Sequence, residues 1–456
     1  MMHLSLDEIV NATGGKVLCA NHAEFAGLSI DSRTIGAGEL FVALKGERFD
    51  GHSFLGDALE KGAGAVIDRE PAGLYEGKTL VLVGDTLRAL QDIAKRRRLS
   101  RDVPVVGVTG TNGKTTTKEL IASVLGQRYK VLKTRGNLNN HIGVPLCISG
   151  MEGDETAMVI EMGSNAEGDI HLLCEIARPH IAVVTNVGPA HLEGFGSLET
   201  VRKTDLEVLE YVKTVSVNAD DLFLLEGVKG FGGKVVTYGI ERKADVCAKG
   251  IELGERGSRF TACFPDGGKI MVDLVIPGIC NVFNALAAAS VAYELGIDKQ
   301  EIRRGLEAFH GVPMRMEIRE IEGALFISDV YNANPASMAA AVKELIRLKR
   351  RRAIAVLGDM LELGRYSGQA HRELIGGLSP SGVDILIAVG EEMKRASTEF
   401  AGMHYEADDS AAAKSRLSDI LTEGDTVLIK GSRGMHMEKV LFEKGETAAG
   451  AVKNAL

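Results

Sequence analysis

The sequence has no C-x-x-C pair and no cysteine beside a histidine cluster; its six cysteines, Cys19, Cys147, Cys174, Cys247, Cys263 and Cys280, are scattered. That spacing argues against structural zinc and reads as reduced, mostly buried thiols in a cytosolic protein. Also missing is any run of about 18 apolar residues, the length a membrane-spanning helix requires. The opening MMHLSLDEIVNATGG lacks the basic stretch and apolar core of an export signal. A cytoplasmic location without a membrane span is expected. Positive charge is scarce as well, with 53 Lys and Arg against 62 Asp and Glu and a net charge of -9. A nucleic-acid binder needs a basic face to displace counterions, so nucleic acid is not an expected partner. The two basic runs, Lys95 to Arg98 and Lys349 to Arg352, stand at the ends of expected helices, where cations complement the helix dipole. No solenoid-length repeat or long low-complexity tract is present.

What is present is a chain of 456 residues, enough for three domains at about 150 residues each. The expected fold class is α/β, with a small N-terminal α/β domain (1–102), a central P-loop parallel-sheet domain (103–312) and a C-terminal doubly wound, Rossmann-like domain (313–456). The first includes a helix at Asp85 to Leu99. Strands at Val103 to Val108, Ala157 to Glu161, Ile181 to Thr185, Val215 to Asn218 and Lys234 to Tyr238 alternate with helical patterns, which implies crossover units and a largely parallel sheet. Residues 245–276 read as an antiparallel insertion turning at FPDGGKI, before a helix at Asn281 to Leu295. The last third repeats the alternation: strands Ala324 to Asp329, Ala353 to Leu357, Ile385 to Val389 and Thr426 to Ile429, with helices Pro335 to Leu348, Gln369 to Leu378 and Glu391 to Ala401.

The segment VTGTNGKTTTKEL, from Val108 to Leu120, joins a β-branched strand to a helix through Gly110 and Gly113. Such glycines let backbone N–H groups turn in around phosphate oxygens, and the helix N-terminus adds its positive dipole end. Lys114 would reach the outer phosphates and the Thr115 hydroxyl would ligate Mg²⁺. The common G-x-x-x-x-G-K-[ST] pattern has a glycine where Val108 stands. Motor ATPases, GTPases and kinases share loops of this type, so the loop alone leaves the reaction open.

Other loops at the carboxyl ends of the strands bear on that choice. Glu161 ends a strand, where a carboxylate can hold Mg²⁺ as a hard oxygen ligand; a lone strand-end acid is more often a solvated loop residue. His191 lies in TNVGPAHLEGFGS, between glycines; a single loop histidine is usually not a ligand. Lys203 points away from the apolar face formed by Leu198, Val201, Val208, Leu209 and Val212, which makes it a solvated lysine paired with Glu207 at i,i+4.

Together these loops resemble the Mur ligase family, the ATP-dependent enzymes that build the peptide stem of the bacterial cell-wall precursor. Its G-x-x-G-T-N-G-K-T loop is matched by Gly107, Gly110, Thr111, Asn112, Gly113, Lys114 and Thr115, and Val108 is ordinary within it. The resemblance runs along nearly the whole chain. It is to the branch that joins D-alanyl-D-alanine to UDP-N-acetylmuramoyl-tripeptide, through DSRTIGAGELFVALKGERFDGHSF, TRGNLNNHIGVPL, EMGSNAEGDIHLL, DVYNANPASM, VLGDMLELG and KGSRGMHMEKV. The Asp-Asn-Pro-Arg signature of the diamino-acid-adding sibling is absent.

The resemblance implies ATP and Mg²⁺ as cofactors; a monomer is expected. Around ATP it implies Gly110, Thr111, Asn112, Gly113, Lys114, Thr115 and Thr116, with Asn281 and Asn284 near adenine, and Arg315, Asp329 and Tyr331 near ribose and phosphates. It implies Thr115 as a ligand to one Mg²⁺ and Glu161 and His191 as ligands to a second, with Lys203 helping to place that second ion if its amine is carbamylated. Ser32 and Arg33 would contact the uridine diphosphate, Asn137, Asn139 and Asn140 the muramoyl sugar. Asn332, Asn334, Asp359, Lys430, Ser432 and Arg433 would gather the peptide substrates, a cation suiting the dipeptide carboxylate. Two positions depart from the family: Cys280 replaces a histidine, and Ser328 replaces the first acid of Asp-Asp-Ser-Tyr.

The family chemistry fits these parts. A carboxylate is a poor electrophile, so it first takes the γ-phosphoryl group of ATP, and an amine then attacks the acyl phosphate. A sibling ligase adding another amino acid and a folylpolyglutamate synthase-like ligase are the nearest alternatives. A motor ATPase, which would show polymer-stimulated hydrolysis, is the alternative from another class. The third stem residue, diaminopimelate or lysine, is left open.

Overall fold

The computed structural model describes residues 4–46, 49–71, 73 and 75–442. The outer ends of the expected first and last domains, residues 1–3 and 443–456, lie outside the described residues.

Three larger open sheets follow one another along the chain. The first has five strands in the order Lys16–Cys19, Thr79–Leu82, Gly64–Ile67, Glu39–Val42 and Gly27–Ser29, parallel except for the first pair. The helix Thr86–Leu99 closes this unit, capped by the Asp85 carboxylate, which accepts from Arg88 N–H. Its basic end has more than the dipole role expected of it. Arg97 and Arg98 are buried, and their guanidinium groups donate to the Met151 and Ala177 carbonyls at 2.9 and 2.7 Å, pinning the first unit to the second.

The central sheet has nine strands. Val131–Lys133, Ala157–Glu161, Val105–Thr109, Ile181–Val184, Thr214–Asn218, Lys234–Gly239 and Val246–Leu253 are parallel neighbours in that order. The segment read as an insertion is instead the continuation of this sheet. Val246–Leu253 carries it on, and Ser258–Cys263 and Lys269–Leu274 add antiparallel to its edge. The inner strands VVGVT, AMVIE and IAVV are buried throughout, as expected where helices cover both faces. One face packs on Leu120 and Val124 of Lys114–Leu125 and on the alanines of Ile279–Glu294; the other packs on Ile170 and Leu173 of Asp169–Ala177. Each leucine buried there contributes about 1.5–3 kcal/mol, which fixes the P-loop helix against the sheet.

From the strand Val105–Thr109 the chain runs to one edge and returns to lay Ala157–Glu161 beside it. It then crosses to the other flank as Ile181–Val184. This reversal opens a crevice at the carboxyl ends of the three strands, where open α/β sheets bind ligands.

The last sheet runs Glu317–Ile321, Ala324–Asp329, Thr426–Lys430, Ala353–Gly358, Ile385–Val389 and Met403–Ala407, antiparallel only in its first pair. Met403–Ala407 and the helix Ser410–Ile420 escape the sequence reading: MHYEA is half exposed at the sheet edge, and the helix presents little beyond Ala413 and Leu417 to the core. The helix beginning at Glu391 stops at Ser397, short of Ala401. The basic run Lys349 to Arg352 lies beyond its helix end at Arg347. Lys349 donates to the Gly382 carbonyl, Arg350 pairs with Glu255, Arg351 with Thr422, and Arg352 with Asp425.

Candidate active site

At the mouth of the crevice, Gly110 and Gly113 turn the P-loop with φ of +114° and +83°. A Cβ at Gly113 would come within 2.5 Å of Asn284 Oδ1, and one at Gly110 would collide with Thr185, so both positions need glycine for φ and for space. The loop is braced from outside. Asn112 N–H donates to Asn186 Oδ1 at 3.0 Å, while the fully enclosed Asp205 accepts from the Thr109 hydroxyl at 2.8 Å and from Gly110 N–H at 3.2 Å. Burial raises the Asp205 carboxyl to about 6, against the pull of Lys114. Lys114 Nζ donates to the Gly110 and Thr111 carbonyls at 2.5 and 3.2 Å, and desolvation lowers its pKa.

Beside the loop, Glu161 is 2% exposed. Its Oε1 accepts from the Thr115 hydroxyl at 3.1 Å and Asn139 Nδ2 at 2.8 Å, and its backbone N–H donates to the Thr134 hydroxyl. Its Oε2 is buried, has no hydrogen-bond partner among the described residues, and lies 3.7 Å from the ammonium of Lys118. Lys118, wholly buried, also donates to the Thr134 carbonyl at 2.8 Å and pairs with Glu119 at 3.0 Å. A buried carboxylate oxygen without a donor, next to a threonine hydroxyl, fits a hard cation. Among the described residues no three His, Cys, Asp or Glu side chains form a metal cage by themselves. An ion here would therefore complete its coordination with phosphate and water, the habit of Mg²⁺.

A cavity of about 910 Å³ runs from this floor between the central and C-terminal units. It is lined from Thr111 to Thr116, by Asn137, Asn139 and Asn140, and by Glu161 and His191. Asn281, Asn284 and Cys280 line it, as do Arg315, Asp329, Tyr331, Asn332, Asn334 and Lys430. Arg315 stacks on the Tyr331 ring at 4.1 Å and donates to Thr115 Oγ1 at 3.0 Å; Asn334 Nδ2 donates to Asn112 Oδ1 at 2.8 Å. Lys430 pairs with Asp329 at 2.6 Å and donates to the Asn332 carbonyl at 2.8 Å. Asn284 bridges Thr117 and Asn281 at 3.2 Å each.

Seven expected site residues lie off the cavity lining. Gly110 sits behind the loop; Asp359 accepts from Met393 N–H at 2.7 Å, at the start of the Glu391 helix; Ser432 accepts from Leu361 N–H at 2.8 Å. Arg433 is exposed and paired with Glu438. Lys61 donates to the Ser32 and Arg33 carbonyls, and the exposed Arg33 guanidinium pairs with Asp31 at 2.6 Å. Lys203 is 70% exposed and pairs with Glu167 at 3.2 Å. The expected Lys203–Glu207 pair is not formed. The helix ends at Asp205, and Glu207, on a tighter 3-10 turn, accepts from Gly168 and His171 N–H instead. The expectation of mostly buried cysteines is also corrected: Cys147 and Cys174 are buried, Cys280 is exposed toward the cavity, and the other three are half-buried.

Sequence reasoning missed Lys118, Asp205 and Asn186. Lys118 stands four residues after Lys114 on the same helix face, but that spacing alone does not distinguish a buried lysine from a solvated one.

Family models match the chain in three successive stretches: residues 24–98 as "Mur ligase family, catalytic domain", 108–292 as "Mur ligase middle domain" and 314–433 as "Mur ligase, glutamate ligase domain". A Bacillus subtilis (strain 168) protein named UDP-N-acetylmuramoyl-tripeptide--D-alanyl-D-alanine ligase is 37% identical, over 91% of this chain and 92% of its own. The chain belongs to the Mur ligase family. An Escherichia coli (strain K12) Mur ligase of the same name is 35% identical over 97% of this chain and 98% of its own. The crystal structure I of MurF from Acinetobacter baumannii superposes with a TM-score of 0.90 at 31% identity, covering 96% of this chain and 98% of that one. The MurF ligase of Thermotoga maritima, in complex with ADP, superposes at 0.81 and 30% identity, covering 94% and 98%. These likenesses agree with the three-part α/β architecture.

Proposed function

We propose that this Mur ligase joins the amine of D-alanyl-D-alanine to the terminal carboxylate of UDP-N-acetylmuramoyl-tripeptide, driven by ATP through an acyl phosphate. The observation that carries the reading is the likeness, over almost the full chain, to two ligases whose names give that reaction. The cleft supplies the chemistry it needs. Lys114 and the loop amides hold the triphosphate, and Arg315 adds a second cation from the C-terminal unit. Thr115 would ligate one Mg²⁺ and Glu161 and His191 a second, joined by Lys203 if carbamylated; the two ions would neutralise charge on the phosphoryl oxygens. Lys118, 3.7 Å from Glu161 Oε2, orients that carboxylate. Asn281 and Asn284 flank the adenine and Asp329 and Tyr331 the ribose, with Ser32 and Arg33 on the uridine diphosphate and Asn137, Asn139 and Asn140 on the sugar. Asn332, Asn334 and Lys430 receive the peptides; Asp359, Ser432 and Arg433 support them from behind the cleft.

The proposed domains are 1–102, 103–312 and 313–456, supported by the confinement of each large sheet to one of them. The enzyme works as a cytoplasmic monomer. In the reaction, a carboxylate oxygen attacks the γ-phosphorus and ADP leaves. The dipeptide amine then attacks the acyl carbon, and phosphate departs with that oxygen. Tripeptide labelled with ¹⁸O in its terminal carboxylate should therefore yield phosphate carrying one ¹⁸O per amide formed. Amide formation with unlabelled phosphate would rule out the acyl phosphate.

A further inference from the structure

Two non-glycine residues in the left-handed region face each other across the seam between the central and C-terminal units. His191, in the loop after Ile181–Val184, has φ +51°, and Glu362, in the loop after Ala353–Gly358, has φ +65°. His191 Nδ1 lies 2.7 Å from Glu362 Oε2. Left-handed backbone in bulky residues persists only where surrounding contacts hold it, and it concentrates at functional sites. The holding contacts are present. Glu193 N–H donates to the Glu362 carbonyl at 3.2 Å, and the Tyr366 hydroxyl donates to the Gly196 carbonyl at 3.2 Å. At Gly364, φ +53°, a Cβ would press to 3.3 Å from Glu193 Cα. Both His191 and Glu362 line the nucleotide cleft.

A carboxylate only accepts, so Nδ1 carries the ring proton in this pair and Nε2 keeps the lone pair. A carboxylate behind a ligating histidine fixes the tautomer and the ring plane and raises ligand basicity. We propose that Glu362 is a positioning residue that acts through His191, so that the metal-facing nitrogen is set by a side chain the C-terminal unit brings across the seam. The inference rests on the reading of His191 as a metal ligand. It adds that the metal site is completed only while the two units are docked, which ties metal affinity to their arrangement.

The test is Mn²⁺ binding, followed by electron paramagnetic resonance, to the full chain saturated with a non-hydrolysable ATP analogue. Glu362→Ala should weaken Mn²⁺ binding about tenfold or more, within the roughly 10–100-fold range for loss of such a partner. Glu362→Gln, whose amide oxygen still accepts from Nδ1, should stay within about threefold of wild type. Analogue binding in the presence of a chelator should be the same in all variants, and adding Glu362→Ala to His191→Ala should cost nothing more. Unchanged Mn²⁺ affinity in Glu362→Ala, alongside a loss in His191→Ala, would overturn the proposal while sparing the ligand role of His191. Unchanged affinity in both variants would overturn that role and the proposal together, whether or not ligation persists.

Discussion

Glu161 and Lys203 are assigned to the same metal, yet the protein treats them in opposite ways. Glu161 is sunk at a strand end, gripped by Thr115, Asn139 and Lys118, with one oxygen left without a donor. Lys203 stands 70% exposed on a short helix, paired with the half-exposed Glu167. An exposed pair of that kind is worth about 0–1 kcal/mol, so it constrains neither side chain. The phosphate floor is thus built by the fold, in the sense that fixed, desolvated groups need no reorganisation when charge develops on the transferring phosphoryl group. The rim, beyond the cavity lining, carries the exposed pairs Lys203–Glu167 and Arg33–Asp31. Mutations on the floor should therefore damage both chemistry and stability, and mutations on the rim should damage function alone.

The largest effect is expected at Lys114. Lys114→Met should lower kcat by about 10²–10³-fold or more, the cost of one well-placed charge-stabilising group, with product formation as the assay. At the rim, Lys203→Ala should cut kcat by about 10²-fold yet leave the thermal midpoint unmoved, as surface substitutions do. If the carbamate is the active form, stripping CO₂ should reversibly inhibit the wild type and leave the residual activity of the variant alone. Lys118→Met sharpens the contrast from the floor side. Removing a buried partner costs about 3–5 kcal/mol, so the melting transition should fall and part of the loss should return in a Lys118→Met/Glu161→Gln double variant. Arg33→Ala should raise KM for the uridine nucleotide about tenfold without changing KM for ATP or the melting midpoint.

The smallest effect concerns pH. Val105 N–H donates to His180 Nδ1 at 3.1 Å, and burial lowers the His180 pKa from 6.5. The folded protein thus binds fewer protons at this site than the unfolded chain just below pH 6.5. The contribution is present above the unfolded value and is lost as pH falls through it. His180→Asn, which keeps an acceptor, should flatten that acid-side decline in thermal midpoint.

How much of this was legible depends on how local each cause is. The strands Ala157–Glu161, Ala324–Asp329 and Ile385–Val389 have the bounds read from the sequence, because buried strands leave no choice of face and show as near-continuous apolar runs. The P-loop was readable because its glycines, lysine and threonine serve one short turn. Asp205 was not: its partner Gly110 lies 95 positions away, and a chain pattern cannot show that a helix end will reach it. Lys118 was hidden for a different reason, since a lysine in a helix reads as solvated unless the carboxylate beneath it is known. The Lys203–Glu207 pairing failed because it assumed an unbroken helix where the backbone tightens after Asp205.

The most direct measurement is phosphate release from ATP over a panel of uridine nucleotide precursors and amine acceptors, with each substrate omitted in turn. Release stoichiometric with amide, requiring UDP-N-acetylmuramoyl-tripeptide and D-alanyl-D-alanine together, is the expected result. Brisk release with neither peptide present, or amide formation with a free amino acid in place of the dipeptide, would contradict it.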